Sequence, residues 1–334
     1  MVSPNYEDRC KSLMASLGLC LPGEITRIEP LTGGVSSDIA AVSYANQTVC
    51  VKFALEKLRV EEDWFAPADR GRAEFAWLQI TSEILPDAVP KLLGWSDSEN
   101  GFAMSYIAGE DIILWKSLLL SGAKDIGQAE SVANALALIH AQSTKPNFDK
   151  TAFDNASDFE SLRIEPYLRF TAARHPDLAG KIIAVADRLS SSRLALVHGD
   201  ISPKNILLRS NQPVFLDAEC ASMGDPAFDV AFCLNHLILK AIHLPESKLH
   251  LYATIQLFWR AYEQKIGWEP CEQVQARVVK LLPMLMLARV DGKSPVEYLT
   301  EESRAFVRSA ARHLILTPEL TISSFIGVLQ SLEL

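Results

Sequence analysis

Between Ile25 and Leu55, β-branched residues recur in short runs broken by turn formers: Ile25–Leu31, a Gly-Gly pair, Asp38–Tyr44, a turn at Asn46–Gln47, then Thr48–Phe53. Runs of this kind predict strands, and their short connections predict an antiparallel meander. From Arg70 to Leu85 the spacing becomes helical, with Trp77, Ile80 and Ile84 on one stripe and Phe75, Leu78 and Leu85 beside it. Lys91–Trp95 and Phe102–Ile107 return to extended character. The region therefore predicts three strands, one helix and two more strands, a small sheet domain.

After Gly109 apolar residues three or four apart dominate, as in Val132, Leu136 and Ile139, and the chain predicts helices to its end. The exception is Leu194 to Glu219, where Leu196-Val197, Ile206–Leu208 and Val214–Leu216 are short apolar runs between polar turns. A turn-rich island inside a helical region is where function tends to sit. The expected division is residues 1–104, a connector at 105–109, and 110–334.

Composition narrows the class. With 334 residues, 49% of them hydrophobic, the chain can bury real cores, and its net charge of −9 disfavours nucleic acid or anionic membrane as a main partner. The six cysteines form no CxxC pair, so they read as thiols of a reducing cytosol and not as a zinc site or disulfide framework. No run approaches the ~20 apolar residues of a spanning helix. The apolar stretch Leu13 to Leu21 is interrupted by Ser and Gly and preceded by Asp8, a poor secretion signal. A soluble, cytoplasmic protein is expected.

The candidate chemistry lies in the island. His198-Gly199-Asp200-Ile201-Ser202-Pro203-Lys204-Asn205 is followed by Leu216-Asp217-Ala218-Glu219, then Gly224-Asp225-Pro226 and Asp229. Phosphoryl transfer explains why these types belong together. A hydroxyl acceptor needs a carboxylate to orient it and take its proton, and a triphosphate needs Mg²⁺ held by oxygen ligands such as Asp and Asn. Asp200 and Asn205 have the spacing of a kinase base and metal-binding Asn, and Asp217 follows where a second metal-binding Asp arrives. Asp225-Pro226 reads as a helix start with Asp as cap and Pro in the first helical position.

HGDISPKN with LDAE and GDPAFDVA resembles the aminoglycoside phosphotransferase superfamily, which includes choline, homoserine and methylthioribose kinases. The resemblance covers nearly the whole chain. It implies an α+β, protein-kinase-like bilobal fold: a small antiparallel-sheet N-lobe, and a larger, mostly helical C-lobe. It further implies ATP and Mg²⁺ as cofactors and a small-molecule hydroxyl as acceptor. Asp200 is then the catalytic base, Asn205 and Asp217 the metal ligands, and His198 a brace of the loop. Asp229 either hydrogen-bonds that loop or is a first-turn carboxylate favourable to the helix dipole. Glu219 is a further metal-shell carboxylate or a structural acceptor.

In the N-terminal region Gly33, Gly34, Ser36 and Ser37 lie between two strands, where amides and hydroxyls can approach phosphate oxygens. The segment lacks both GxxxxGK[ST] and a full GxGxxG. Lys52, in Val-Cys-Val-Lys-Phe, resembles the third-strand lysine that contacts the α and β phosphates, with Glu74 as its helix partner. Met104, Ser105 and Tyr106 resemble the segment that joins the lobes and meets adenine. His140 reads as a helix-packing residue.

Two departures stand out. Where aminoglycoside kinases commonly carry His, two residues after the base, this chain has Ser202, with Lys204 two residues later. Between Ala241 and Leu334 ten acidic and ten basic residues balance, which disfavours a polycationic acceptor. A sugar, polyol or amino alcohol stays open. A protein kinase is disfavoured by the absence of an Ala-Pro-Glu segment, and a catalytically dead binding module by intact Lys52, Asp200, Asn205 and Asp217.

Overall fold

The computed structural model describes residues 5–31, 36–57, 59, 67 and 70–332. The chain forms two compact units: residues 1–110 with Leu216–Glu219, and Asp111–Phe215 with Cys220–Leu334.

The first unit opens with helix α1 (Tyr6–Ser16) and strand β1 (Ile25–Pro30), then β2 (Ser37–Tyr44), β3 (Gln47–Ala54), helix α2 (Arg70–Ile84), β4 (Leu92–Ser96) and β5 (Gly101–Ser105). The strands form one antiparallel sheet in the order β1-β2-β3-β5-β4. The expected turn moves by one residue. Ala45 and Asn46, both at positive φ, form the two-residue connection, and Tyr44 pairs with Gln47, a geometry that suits the twist of adjacent strands.

Alternation along β3 sorts its side chains. Val49, Val51 and Phe53 pack in one cluster with Tyr6, Cys10, Leu13 and Met14 of α1, so Lys52 belongs to the opposite face of the pleat. That face meets α2, through Glu74. The buried stripe of α2 is Arg70, Ala73, Glu74, Trp77, Leu78 and Thr81. Ile80 and Ile84, expected on it, are only half-buried. The expected register fails because two charged residues that neutralise partners take positions an apolar pattern would fill.

In the second unit β6 (Ile112–Leu114) runs into α3 (Trp115–Leu120) and α4 (Gln128–Ser143). One helical stretch then comprises α5 (Ala156–Phe159), a ten-residue π-helical segment (Glu160–Arg169) containing Pro166, and α6 (Phe170–Arg174). After α7 (Ala179–Ser191) come β7 (Ala195–Val197), β8 (Ile206–Arg209), β9 (Gln212–Phe215) and β10 (Ser222–Gly224), followed by α8 (Ala227–His243), α9 (Lys248–Glu263), α10 (Cys271–Asp291), α11 (Glu301–Leu316) and α12 (Ile322–Leu332). β6-β8-β9 and β10-β7 form two small antiparallel sheets. Helix α8 is buried from Ala227 to Ala241 without a polar face, the pattern of a central core helix. Its N-cap is Pro226, one residue later than expected, although Asp225 still accepts from the Ala227 amide at 3.0 Å. Arg188 and Arg277 hold the same Asp225 carboxylate. Among the described residues no single helix is long and apolar enough to cross a membrane, and all six cysteines are free thiols.

Candidate active site

In the sheet unit, Lys52 is the centre of a buried ion cluster. Its Nζ lies 2.8 Å from Glu74 and also bonds Asp217. Burial alone would lower the lysine pKa, but Asp217 and Glu74 overcome it and leave the ammonium above its ordinary value. Burial raises the Glu74 carboxyl, with Lys52 pulling the other way. Asp217 sits at φ 66, a left-handed conformation that Asp tolerates better than most residues.

Glu219 accepts from Arg70 Nε at 3.1 Å and from Ser37 Oγ at 3.4 Å. Arg70 also bonds the Ser36 carbonyl. Through these bonds Glu219 ties α2 to the start of β2. Arg70 belongs to no motif of the sequence, although a charged residue four before Glu74 on one helix face is a readable signal. Gly33 and Gly34 lie outside the described residues. Met104 lies within β5, Ser105 engages Lys91 with both its amide and its hydroxyl, and Tyr106 follows, 40% exposed.

In the helical unit, the loop from His198 to Asn205 connects β7 to β8. The buried Asp229 of α8 holds its start: Oδ2 accepts from the His198 amide at 2.7 Å and Oδ1 from the Gly199 amide at 2.8 Å. His140 lies 3.3 Å from the same carboxylate and 2.8 Å from Tyr262 Oη, so it is a packed orienting group. Gly199 adopts φ +76, and a Cβ there would stand 2.6 Å from the Cys220 carbonyl oxygen. Only glycine meets both conditions without displacement. His198 Nδ1 accepts from the Asp200 amide at 3.2 Å, bracing the turn from within.

Asp200 is buried and faces two cations, Arg163 at 2.9 Å and Lys204 at 3.2 Å. Burial alone would raise its carboxyl, yet Lys204 and Arg163, joined by weaker contributions from His198 and His236, hold it well below the ordinary carboxylate range. Arg163 comes from the π-helical segment and also bonds the Gly199 carbonyl. No motif marks it in the sequence, because the glycine it bonds lies 36 residues away. Asn205 donates from Nδ2 to the Asp200 carbonyl at 3.1 Å, which turns its Oδ1 outward from that bond. Ser202 Oγ is buried and has no hydrogen-bond partner among the described residues.

Each unit offers an oxygen donor of the kind a hard divalent cation takes. Asn205 offers an amide oxygen, and Asp217 is a carboxylate 22% exposed within a cluster where Glu74, Asp217 and Glu219 outnumber Lys52 and Arg70. Among the described residues no group of three or more His, Cys, Asp or Glu forms a metal cage. Magnesium asks for no such cage, since it is usually held by one or two protein oxygens with phosphates and water.

A model of the phosphotransferase enzyme family matches residues 27–241. Methylthioribose kinase of Pectobacterium atrosepticum is 27% identical over 226 residues, covering 59% of this chain and 55% of that protein. The chain thus spans about half the length of the curated relatives it matches. Among solved structures, a choline/ethanolamine kinase family protein from Mesorhizobium loti superposes with a TM-score of 0.59 at 18% identity, over 97% of this chain and 98% of that one. An aminoglycoside phosphotransferase from Alicyclobacillus acidocaldarius gives 0.54 at 13% identity, over 100% and 97%. The fold is accordingly α+β and protein-kinase-like.

Proposed function

The chain belongs to the phosphotransferase enzyme family, and we propose that it transfers the γ-phosphate of ATP to a hydroxyl group of a small molecule. The observation that carries this reading is the buried Lys52 ammonium, held by Glu74 and Asp217 on the α2 face of the sheet. A fixed cation of this kind positions α and β phosphates without reorganising when they arrive.

In the helical unit Asp200 is the group that orients the acceptor hydroxyl. Arg163 and Lys204 keep it ionised at any working pH, so it always presents an acceptor lone pair. A carboxylate this acidic removes little proton density from a resting alcohol. In a loose transition state that is enough, because the hydroxyl becomes acidic only as its oxygen bonds phosphorus. Asp229 and His198 fix the direction in which Asp200 points. Asn205 and Asp217 would hold Mg²⁺, which neutralises charge on the phosphate oxygens when bound.

The test is ADP formation with Mg²⁺ and ATP across a panel of sugars, polyols, amino alcohols and hydroxy acids, for the wild type and Asp200→Asn. Substitution should lower turnover about 10²–10⁴-fold and leave ATP affinity near its original value. Full turnover in Asp200→Asn, or ADP formation only with a protein acceptor, would exclude the reading.

A further inference from the structure

Beside Asp200 the helical unit gathers buried cations that its carboxylates do not balance. Lys240, on α8, is 1% exposed. Among the described residues its hydrogen-bond acceptor is the His236 carbonyl at 3.5 Å, and its ammonium stands 5.4 Å from the centre of the Tyr298 ring. Arg289, on α10, bonds Ser294 Oγ at 3.0 Å and Tyr167 Oη at 3.4 Å. Among the described residues its Nε has no hydrogen-bond partner, and neither has Tyr298 Oη. The group is continuous with the loop. Arg163, which holds Asp200, lies 5.8 Å from the Tyr167 ring that Arg289 also meets. The carboxylate whose charge reaches Lys240 is Glu297, and Lys116 engages it at 2.6 Å.

A buried ammonium without a counter-ion is costly, and unpartnered donors beside it compound the cost. A ligand that brings negative charge relieves both. Resting on the phosphotransferase reading, we propose that Lys240 and Arg289 form an anion-recognition subsite for the acceptor, which is therefore a hydroxyl compound bearing a carboxylate or a phosphate and not a cationic amino alcohol or aminoglycoside. Tyr298 Oη and Arg289 Nε then supply directional donors to the anionic oxygens. The ten-to-ten balance of the C-terminal sequence gives no sign of this site, because Lys240 lies just before the counted stretch and Arg289 is set apart from the other basic residues only by its burial.

Matched pairs test it: glycerate against glycerol, gluconate against sorbitol, and ribose 5-phosphate against ribose, with choline as a cationic control. ADP formation gives kcat/KM, and calorimetry without nucleotide gives binding. In at least one pair the anionic member should exceed the neutral one by tenfold or more. Lys240→Met should collapse that ratio to about one, and Lys240→Arg should restore most of it. The carboxylate and phosphate pairs separate the two sources of charge. Calorimetry separates the inference from its premise. Lys240-dependent anion binding without ADP formation from any compound would keep the subsite and sink the kinase reading. ADP formation on neutral or cationic compounds with no Lys240-dependent binding would do the reverse. Absence of such binding overturns the proposal whether or not ADP forms.

Discussion

Replacing Lys240 by methionine should stabilise the protein, and by an amount that depends on pH in a defined direction. Burial first, then the neighbouring Lys116 and Arg289 charges, push the Lys240 pKa down from 10.5 to about 7. The native state therefore holds its proton less tightly than the unfolded chain does. Below pH 7 both states carry the proton and the folded protein bears the full cost, roughly 5 kcal/mol, since each tenfold loss of proton affinity is worth about 1.4 kcal/mol. Between pH 7 and 10.5 the unfolded state binds more protons, so stability rises with pH and the cost fades. Methionine keeps the length and apolar stem while removing the charge. Urea unfolding followed by tryptophan fluorescence should show Lys240→Met more stable than the wild type by up to about 5 kcal/mol at pH 6 and by about 2 kcal/mol at pH 9. Equal effects at the two pH values, or a net destabilisation at pH 6, would show that the ammonium is solvated or paired and would refute the reasoning.

Asp217→Ala should weaken Mg²⁺-dependent ATP binding; unchanged affinity with and without Mg²⁺, by calorimetry, removes Asp217 from the metal. Asp229→Asn leaves one carbonyl oxygen where two carboxylate oxygens accept the His198 and Gly199 amides, so one buried donor loses its partner at about 1–3 kcal/mol. Its unfolding midpoint should fall, and kcat should fall more than ATP affinity. Gly199→Ala forces φ +76 on alanine and drives its methyl into the Cys220 carbonyl; a loss of about 2–4 kcal/mol is expected in urea titration. An unchanged midpoint would mean that the loop opens at no cost.

The alternation of β-branched residues makes the five-stranded sheet legible, and the loop is legible because Asp200 and Asn205 are polar types at fixed spacing. What is not legible depends on partners far apart in the chain. Arg163, Lys240 and Arg289 carry no local signal, since an arginine on a helix looks the same whether it faces solvent or Asp200. Helix α1 escapes the pattern although Tyr6, Cys10, Leu13 and Met14 follow helical spacing, because the apolar stretch Leu13 to Leu21 overlaps its end and draws the comparison with a leader segment. The register of α2 slips because Arg70 and Glu74 occupy its buried stripe, which an apolar template assigns to solvent.

The π-helical segment from Glu160 to Arg169 has a consequence for how this protein could diverge. A helix that carries surplus residues in a widened turn can shed one and close to α geometry, with its flanking elements kept in place. With the flanks fixed, each residue lost or gained shifts the side chains inside the stretch by about 100° around the helix axis. Arg163 lies inside that stretch, so a single deletion would swing it off Asp200 in one step, which no substitution elsewhere in the helix does. Divergence around Asp200 among descendants of this chain is thus expected as differences in length between Ala156 and Arg174 as much as differences in residue identity.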